Sequence, residues 1–136
     1  MAVFVDASAL IALIAGESDA DALADALDAD PERLCSAVSA WETVAGLVRS
    51  YAFTVAGARE HVRLHLETAS IRFVAIDEDV YERAVDAFAR YGKGRHPASL
   101  NMGNCLAYAC ATAHGARRLF KGDDFARTDI AHGTGA

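Results

Sequence analysis

The sequence predicts an α/β domain with a mainly parallel central sheet and helices on both faces. Short apolar runs, AVFV (2–5), RLCSA (33–37), IRFVAI (71–76) and RRLF (117–120), alternate with longer stretches of helical periodicity. Strands that alternate with helices assemble in parallel, because parallel neighbours need a connection long enough to hold a helix. With 136 residues, 53% of them hydrophobic, the chain can bury one sizeable core but not two ordinary ones. Residues 1–136 therefore read as one domain, with 132–136 as a frayed tail.

Each element follows from its own residues. AVFV is a buried strand by composition, and Asp6-Ala7-Ser8 leads from it into the helix-forming ALIALIA, closed by Gly16. SDADALADALDAD sets alanine, leucine and aspartate at helical spacing and stops before Pro31, which disfavours helical backbone in the residue ahead of it. RLCSA is a second strand and VSAWETVAGLVRSYAF the next helix. TVAGAREHVRLHLETAS is amphipathic through Val62, Leu66 and Ala69. IRFVAI reads as the clearest interior strand. DEDVYERAVDAFARYG carries acids in its first turn and Arg90 near its end, as the helix dipole prefers. GKGRHPASL is a loop, Asn101 to His114 a helix, RRLF a strand and KGDDF a turn, with a last short strand from Ile130.

Composition narrows the function. A net charge of -6 and a pI near 5.2 argue against coating nucleic acid by bulk positive charge, and leave room for a local basic strip or a cation-binding acidic pocket. Cys35, Cys105 and Cys110 lie in apolar contexts without CxxC spacing, so they read as reduced core thiols. The apolar opening segment has no basic leader, carries Asp6 in its middle and is too short to span a bilayer. A cytoplasmic protein without membrane attachment is expected.

In open α/β sheets, ligands bind beyond the carboxyl ends of the strands. Asp6 follows the first strand at that end, Asp123 and Asp124 follow a late one, and Glu42 and Asn104 stand at helix starts that a parallel sheet brings to the same edge. Local roles compete. Ser39-x-x-Glu42 has capping-box spacing, Asn101 as an N-cap makes Asn104 a third-position residue, and Asp123 or Asp124 can open a turn. Asp6 is harder to assign locally, because a carboxylate directly after a buried strand is costly unless something pairs with it. Convergence of all four places favours a cation site, and hard oxygen donors without histidine or cysteine select Mg²⁺ or Mn²⁺.

Such an ion activates water and neutralises charge on a phosphodiester. Lys93, Arg95 and His96 precede the Asn104 helix, and Arg117, Arg118, Lys121 and Arg127 surround the Asp123-Asp124 turn. Of these, Lys93, Arg95 and Arg117 are the named candidates for phosphate contact, against the plainer reading of solvated surface charge. His61 and His65 stand at i and i+4 with no third ligand nearby in sequence, and read as a solvated helix flank. Trp41 is expected in the core or at a subunit contact, and Met102, Cys105 and Tyr108 as packing beside the site.

FVDASALIALI, the WE of SAWET, YGKGRHPASLNMGNCLAYA and FKGDDFARTDI, in this order, resemble the PIN-domain ribonuclease toxins of VapC type from Ala2 to about Ile130. The resemblance implies a single PIN-like domain whose acidic residues hold Mg²⁺ or Mn²⁺ and hydrolyse RNA. It also implies a homodimer held inactive by a cognate VapB-type antitoxin. By motif position Asp6 carries over as the first metal ligand, Glu42 as the second acid, and Asp124 as the later acid of the GDDF turn, with Asp123 beside it. The third acid of the family falls on Asn104. Asparagine keeps the shape and one oxygen acceptor but loses a negative charge, which weakens ion binding and water activation. Since the rest of the motif is intact, an inactivating substitution is favoured over natural divergence.

The expected function is thus a metal-dependent endoribonuclease toxin, weakened or inactivated by Asn104. The alternative is a catalytically silent antitoxin-binding or regulatory module on the same fold. A haloacid-dehalogenase-type phosphatase is excluded by Ser8, where that chemistry needs an acid. A receiver domain is excluded because VAID offers only Asp77, at a helix start.

Overall fold

The computed structural model describes residues 1–92, 94 and 100–121. Within them the chain runs β1 (Ala2–Val5), α1 (Ala7–Ala15), α2 (Ala20–Asp28), β2 (Glu32–Cys35), α3 (Ala37–Tyr51), α4 (Val55–Thr68), β3 (Ile71–Phe73), α5 (Glu78–Tyr91), α6 (Met102–Ala113) and β4 (Arg117–Leu119). The strands form one sheet of order β3-β2-β1-β4, and every pairing is parallel. Strand order reverses at β1, which lies between β2 and β4, so the crevice beyond its carboxyl end is where such sheets bind ligands.

The period of two along β1 divides the core. Val3 and Val5 face one way, into a cluster with Leu10 and Leu23 of α1 and α2 and Leu47, Val62 and Leu66 of α3 and α4. Phe4 faces the other way, with Val80 and Ala84 of α5 and Cys105, Tyr108 and Cys110 of α6. Helices therefore cover both faces, which requires β1 to be apolar throughout. All three cysteines are free and buried. Among the described residues, no helix is long and apolar enough to cross a membrane.

Helix ends follow local chemistry. The Asp6 carboxylate caps α1 through the Ser8 N–H, and Gly16 ends it in left-handed backbone (φ 70°), a region costly for any residue with a Cβ. Asp77 caps α5 through the Val80 N–H at 3.0 Å.

Three expectations need correction. IRFVAI is an edge strand of the described sheet, not an interior one: only Ile71 to Phe73 are strand, and Arg72 and Phe73 are exposed. Its apolar residues have divided duties, with Ile71 packing on one side of the sheet and Val74 on the other. Trp41 is 70% exposed, which removes the core alternative and leaves a contact surface. Met102 is exposed as well, while Cys105 and Tyr108 are buried as expected. The Asp123-Asp124 turn, the strand from Ile130, the frayed tail and, within the GKGRHPASL loop, residues 93 and 95–99 lie outside the described residues.

Candidate active site

Asp6 extends β1 by one residue: its N–H donates to the Leu119 carbonyl of β4 at 2.9 Å, so its side chain falls on the same side as Phe4. It is buried, and both carboxylate oxygens are used. Oδ2 accepts from the Ser8 N–H at 3.0 Å and from Ser8 Oγ at 2.7 Å. Oδ1 accepts from Nη2 of Arg118 at 3.1 Å. A carboxylate has about four acceptor positions, so Oδ1 keeps one for a further ligand. Ser8 Oγ in turn accepts from the Lys121 N–H at 2.8 Å, which ties the end of β4 to the start of α1.

Arg118 is the partner that the burial of Asp6 demanded. It lies opposite Phe4 in the β1–β4 register and is fully buried, its guanidinium carbon 5.9 Å from the ring centroids of both Phe4 and Phe120. Burial lowers its pKa to about 10 while Asp6 opposes that shift, so the side chain remains a cation at neutral pH.

Glu42 is not at a helix start and is not in a capping box. The box of α3 belongs to Ser36 and Ser39, each side chain accepting the other's backbone N–H, at 3.2 Å and 2.9 Å. Because Ser36 already provides the cap, Glu42 falls in the second turn, and its carboxylate is free to reach α6. There it lies on Gly103: a Cβ added at that glycine would come within 2.6 Å of the Glu42 carboxyl carbon. Burial first, and the charge of Asp6 second, raise the Glu42 pKa above the usual carboxylate value. Two carboxylates close enough to feel each other, one at the end of a parallel strand, make an acidic pair.

Asn104 follows Gly103 in the first turn of α6. Its local role is also real: Asn101 Oδ1 accepts from the Asn104 N–H at 2.9 Å, and Asn104 Oδ1 accepts from the Asn101 N–H at 3.2 Å. That leaves Asn104 Oδ1 one acceptor position unused by the capping box. Asp123, Asp124, Lys93, Arg95, His96 and Arg127 lie outside the described residues.

Arg117 does not join the site, correcting its assignment to phosphate. Neighbouring strand residues face opposite ways, so with Arg118 under Asp6 the Arg117 guanidinium turns toward α2, where it pairs with Asp30 and donates to the Ala26 carbonyl at 3.3 Å. Lys121 also has carboxylate partners, Glu17 and Asp19. His61 stacks edge-on against Phe53 at 5.2 Å, and both His61 and His65 line a shallow depression with Leu13 and Ile14. No group of three or more histidine, cysteine, aspartate or glutamate side chains able to hold a metal occurs among the described residues.

Sequence reasoning missed two residues as parts of the site. Gly103 leaves the space that Glu42 fills, and Arg118 is the internal counter-charge of Asp6. The signal for Arg118 was the unpaired Asp6 itself.

The chain matches the family model described as PIN domain over residues 3–131. It is 44% identical over 127 residues to a protein named Ribonuclease VapC from Mycolicibacterium smegmatis, covering 93% of this chain and 96% of that one. It is 43% identical to Ribonuclease VapC30 of Mycobacterium tuberculosis, covering 93% and 95%. Among solved structures, VapC20 of Mycobacterium tuberculosis, described as a sarcin-ricin loop cleaving toxin, superposes with a TM-score of 0.74 at 20% identity, covering 95% of this chain and 96% of that one. A toxin-antitoxin complex from Klebsiella pneumoniae gives 0.68 at 24% identity, covering 95% and 93%. The chain belongs to the PIN-domain family, among its VapC ribonucleases.

Proposed function

We propose that the chain is a divalent-metal-dependent endoribonuclease toxin of a toxin–antitoxin pair, with activity weakened by Asn104. The observation that carries this reading is the acidic pair of Asp6, at the end of β1, and Glu42: their charges act on each other, and the Glu42 carboxylate is seated on Gly103. The donor chemistry fits a hard cation: carboxylate and carboxamide oxygens from β1, α3 and α6, with no soft ligand among them. Asp6, Glu42 and Asn104 would hold Mg²⁺ or Mn²⁺, joined by Asp124 and Asp123. When bound, such an ion supplies charge neutralisation at the phosphodiester and acidifies water.

The protein's own contribution is positioning and proton transfer. Asp6 is fixed by Ser8 and Arg118 and offers one free acceptor position on Oδ1. Glu42 has a raised pKa and a partly open carboxylate, which suits it to take the proton of the attacking water. Asn104 presents an oxygen of the right shape without charge. Lys93 and Arg95 remain proposed phosphate contacts.

Glu42→Gln is expected to abolish cleavage while slightly stabilising the fold. A carboxylate whose folded pKa is raised contributes stability below its unfolded pKa and loses it as pH rises through the folded value. At neutral pH its charge is therefore a cost that glutamine removes. Solvent screening of a half-buried group keeps the gain small, about 2 °C in Tm, read by thermal melts at pH 7 against pH 4, where the gain disappears.

Gly103→Ala separates site geometry from stability. The new Cβ displaces the end of the flexible Glu42 side chain, so cleavage should fall at least about tenfold, as a misplaced catalytic group costs. The melting temperature should change little, because alanine is favoured over glycine in a helix by about 1 kcal/mol.

A VapB-type antitoxin and a second copy of the chain are the proposed partners. The neighbouring toxin-antitoxin complex supports the first. Large apolar side chains remain exposed in two clusters, Trp41, Val55 and Phe73 in one and Tyr81, Phe88 and Met102 in the other, which offers surfaces for such partners. Light scattering should give about twice the 14.4 kDa chain mass. A cytoplasmic setting suits three free cysteines.

The deciding experiment is RNA cleavage with Mn²⁺ or with EDTA, by this protein and by its Asn104→Asp variant. Metal-dependent cutting that rises with aspartate supports the reading. Antitoxin binding without cutting by either protein would favour the silent module, to which the local capping role of Asn104 lends support.

A further inference from the structure

We propose that Arg118 is the resident counter-cation of Asp6, a positioning residue that holds the acidic pocket together without an ion and weakens its hold on divalent cations. The inference rests on the metal-site reading above and adds a residue to it. The Arg118 guanidinium is fully buried, fixed between Phe4 and Phe120, and donates to Asp6 Oδ1 at 3.1 Å.

Two consequences follow from charge. Asp6 and Arg118 together are neutral and Asn104 is neutral, so Glu42 is the one uncompensated anion among the described pocket residues. A divalent cation at the remaining Oδ1 position must also share that oxygen with a fixed positive charge, and like charges a few ångströms apart in a buried site repel strongly. In return, Asp6 stays oriented and paired in the ion-free protein. A pocket with no internal cation relies on the metal to relieve carboxylate repulsion; here the chain relieves it.

Arg118→Met removes the charge while keeping an unbranched side chain of similar length, and Arg118→Lys restores a cation. Mn²⁺ binding to both, to the unchanged protein and to Asn104→Asp is followed by the loss of the free-ion electron paramagnetic resonance signal. Thermal melts are run with EDTA and with saturating Mn²⁺. Arg118→Met should bind Mn²⁺ at least about tenfold tighter than the unchanged protein, and its melting temperature should depend more on Mn²⁺. Arg118→Lys should return both readings toward the original values.

Equal or weaker Mn²⁺ binding by Arg118→Met overturns the proposal, and so does failure of that variant to fold in both EDTA and Mn²⁺. Folding in Mn²⁺ alone supports it, since the ion then replaces the missing charge. If Asn104→Asp binds Mn²⁺ while Arg118→Met matches the unchanged protein, the counter-cation idea fails alone. If none of the four proteins binds Mn²⁺, the metal-site reading fails and takes the proposal with it.

Discussion

Asn104→Asp is expected to raise RNA cleavage by at least about 10- to 100-fold, the range over which even indirect disturbances of metal sites act. The substitution exchanges one nitrogen for oxygen and adds one negative charge at the residue after Gly103, on which Glu42 is seated. The fold should accept it. Aspartate at the third position of α6 can accept the Asn101 N–H as asparagine does, and its charge sits in the first helical turn, where the dipole favours an anion. The cost is repulsion among three carboxylates in the ion-free state, so Asn104→Asp should melt lower in EDTA and recover with Mn²⁺. A rise in activity, a loss of ion-free stability and a gain on adding the ion are expected together, measured by cleavage of labelled RNA and by paired melts.

Asp6→Asn should do the reverse to activity and cost far more stability. It leaves the fully buried Arg118 cation beside a neutral amide, and breaking one side of a buried pair costs about 3 kcal/mol or more. For a domain of this size that is a fall of about 10 °C in Tm. Asparagine can still cap α1 through the Ser8 N–H, so the loss is electrostatic and not a failure of helix initiation. Asp6→Asn combined with Arg118→Met should regain most of the lost stability, since a buried pair replaced on both sides by neutral groups costs little. Cleavage should remain abolished in the double variant. The double-mutant cycle by thermal or urea unfolding checks the coupling.

The sequence revealed local features better than pairings. The strand-then-aspartate of AVFVD, the Gly16 stop, the acidic first turn of α5 and the alternation that implies a parallel sheet are all local patterns, and the structure contains each of them. IRFVAI looked interior because its composition is apolar, but edge or centre is decided by strand order, which no local window contains. The Ser39–Glu42 spacing suggested a cap one turn too late. Ser36 was an equally good cap, and the choice depends on where β2 ends.

The site was legible in part for the same reason. The charge of Asp6 reaches Glu42, in keeping with their places in a parallel sheet, while Asp123 and Asp124 lie outside the described residues. RRLF showed two arginines but not which of them turns inward. Only the register of Phe4 against Arg118 decides that, sending Arg118 under Asp6 and Arg117 to Asp30. A buried arginine in a strand reads as surface charge until its carboxylate partner is placed beside it.

The central claim is that Asp6, Glu42 and position 104 form one cation site. It is tested most directly by Mn²⁺ titration of Asn104→Asp with and without the added Asp6→Asn change, each compared with the unchanged protein. The account predicts saturable binding by Asn104→Asp, tighter than the unchanged protein by at least about tenfold, and its loss when Asp6 is also replaced. Binding that is indifferent to both substitutions, or absent from all three proteins, would contradict it.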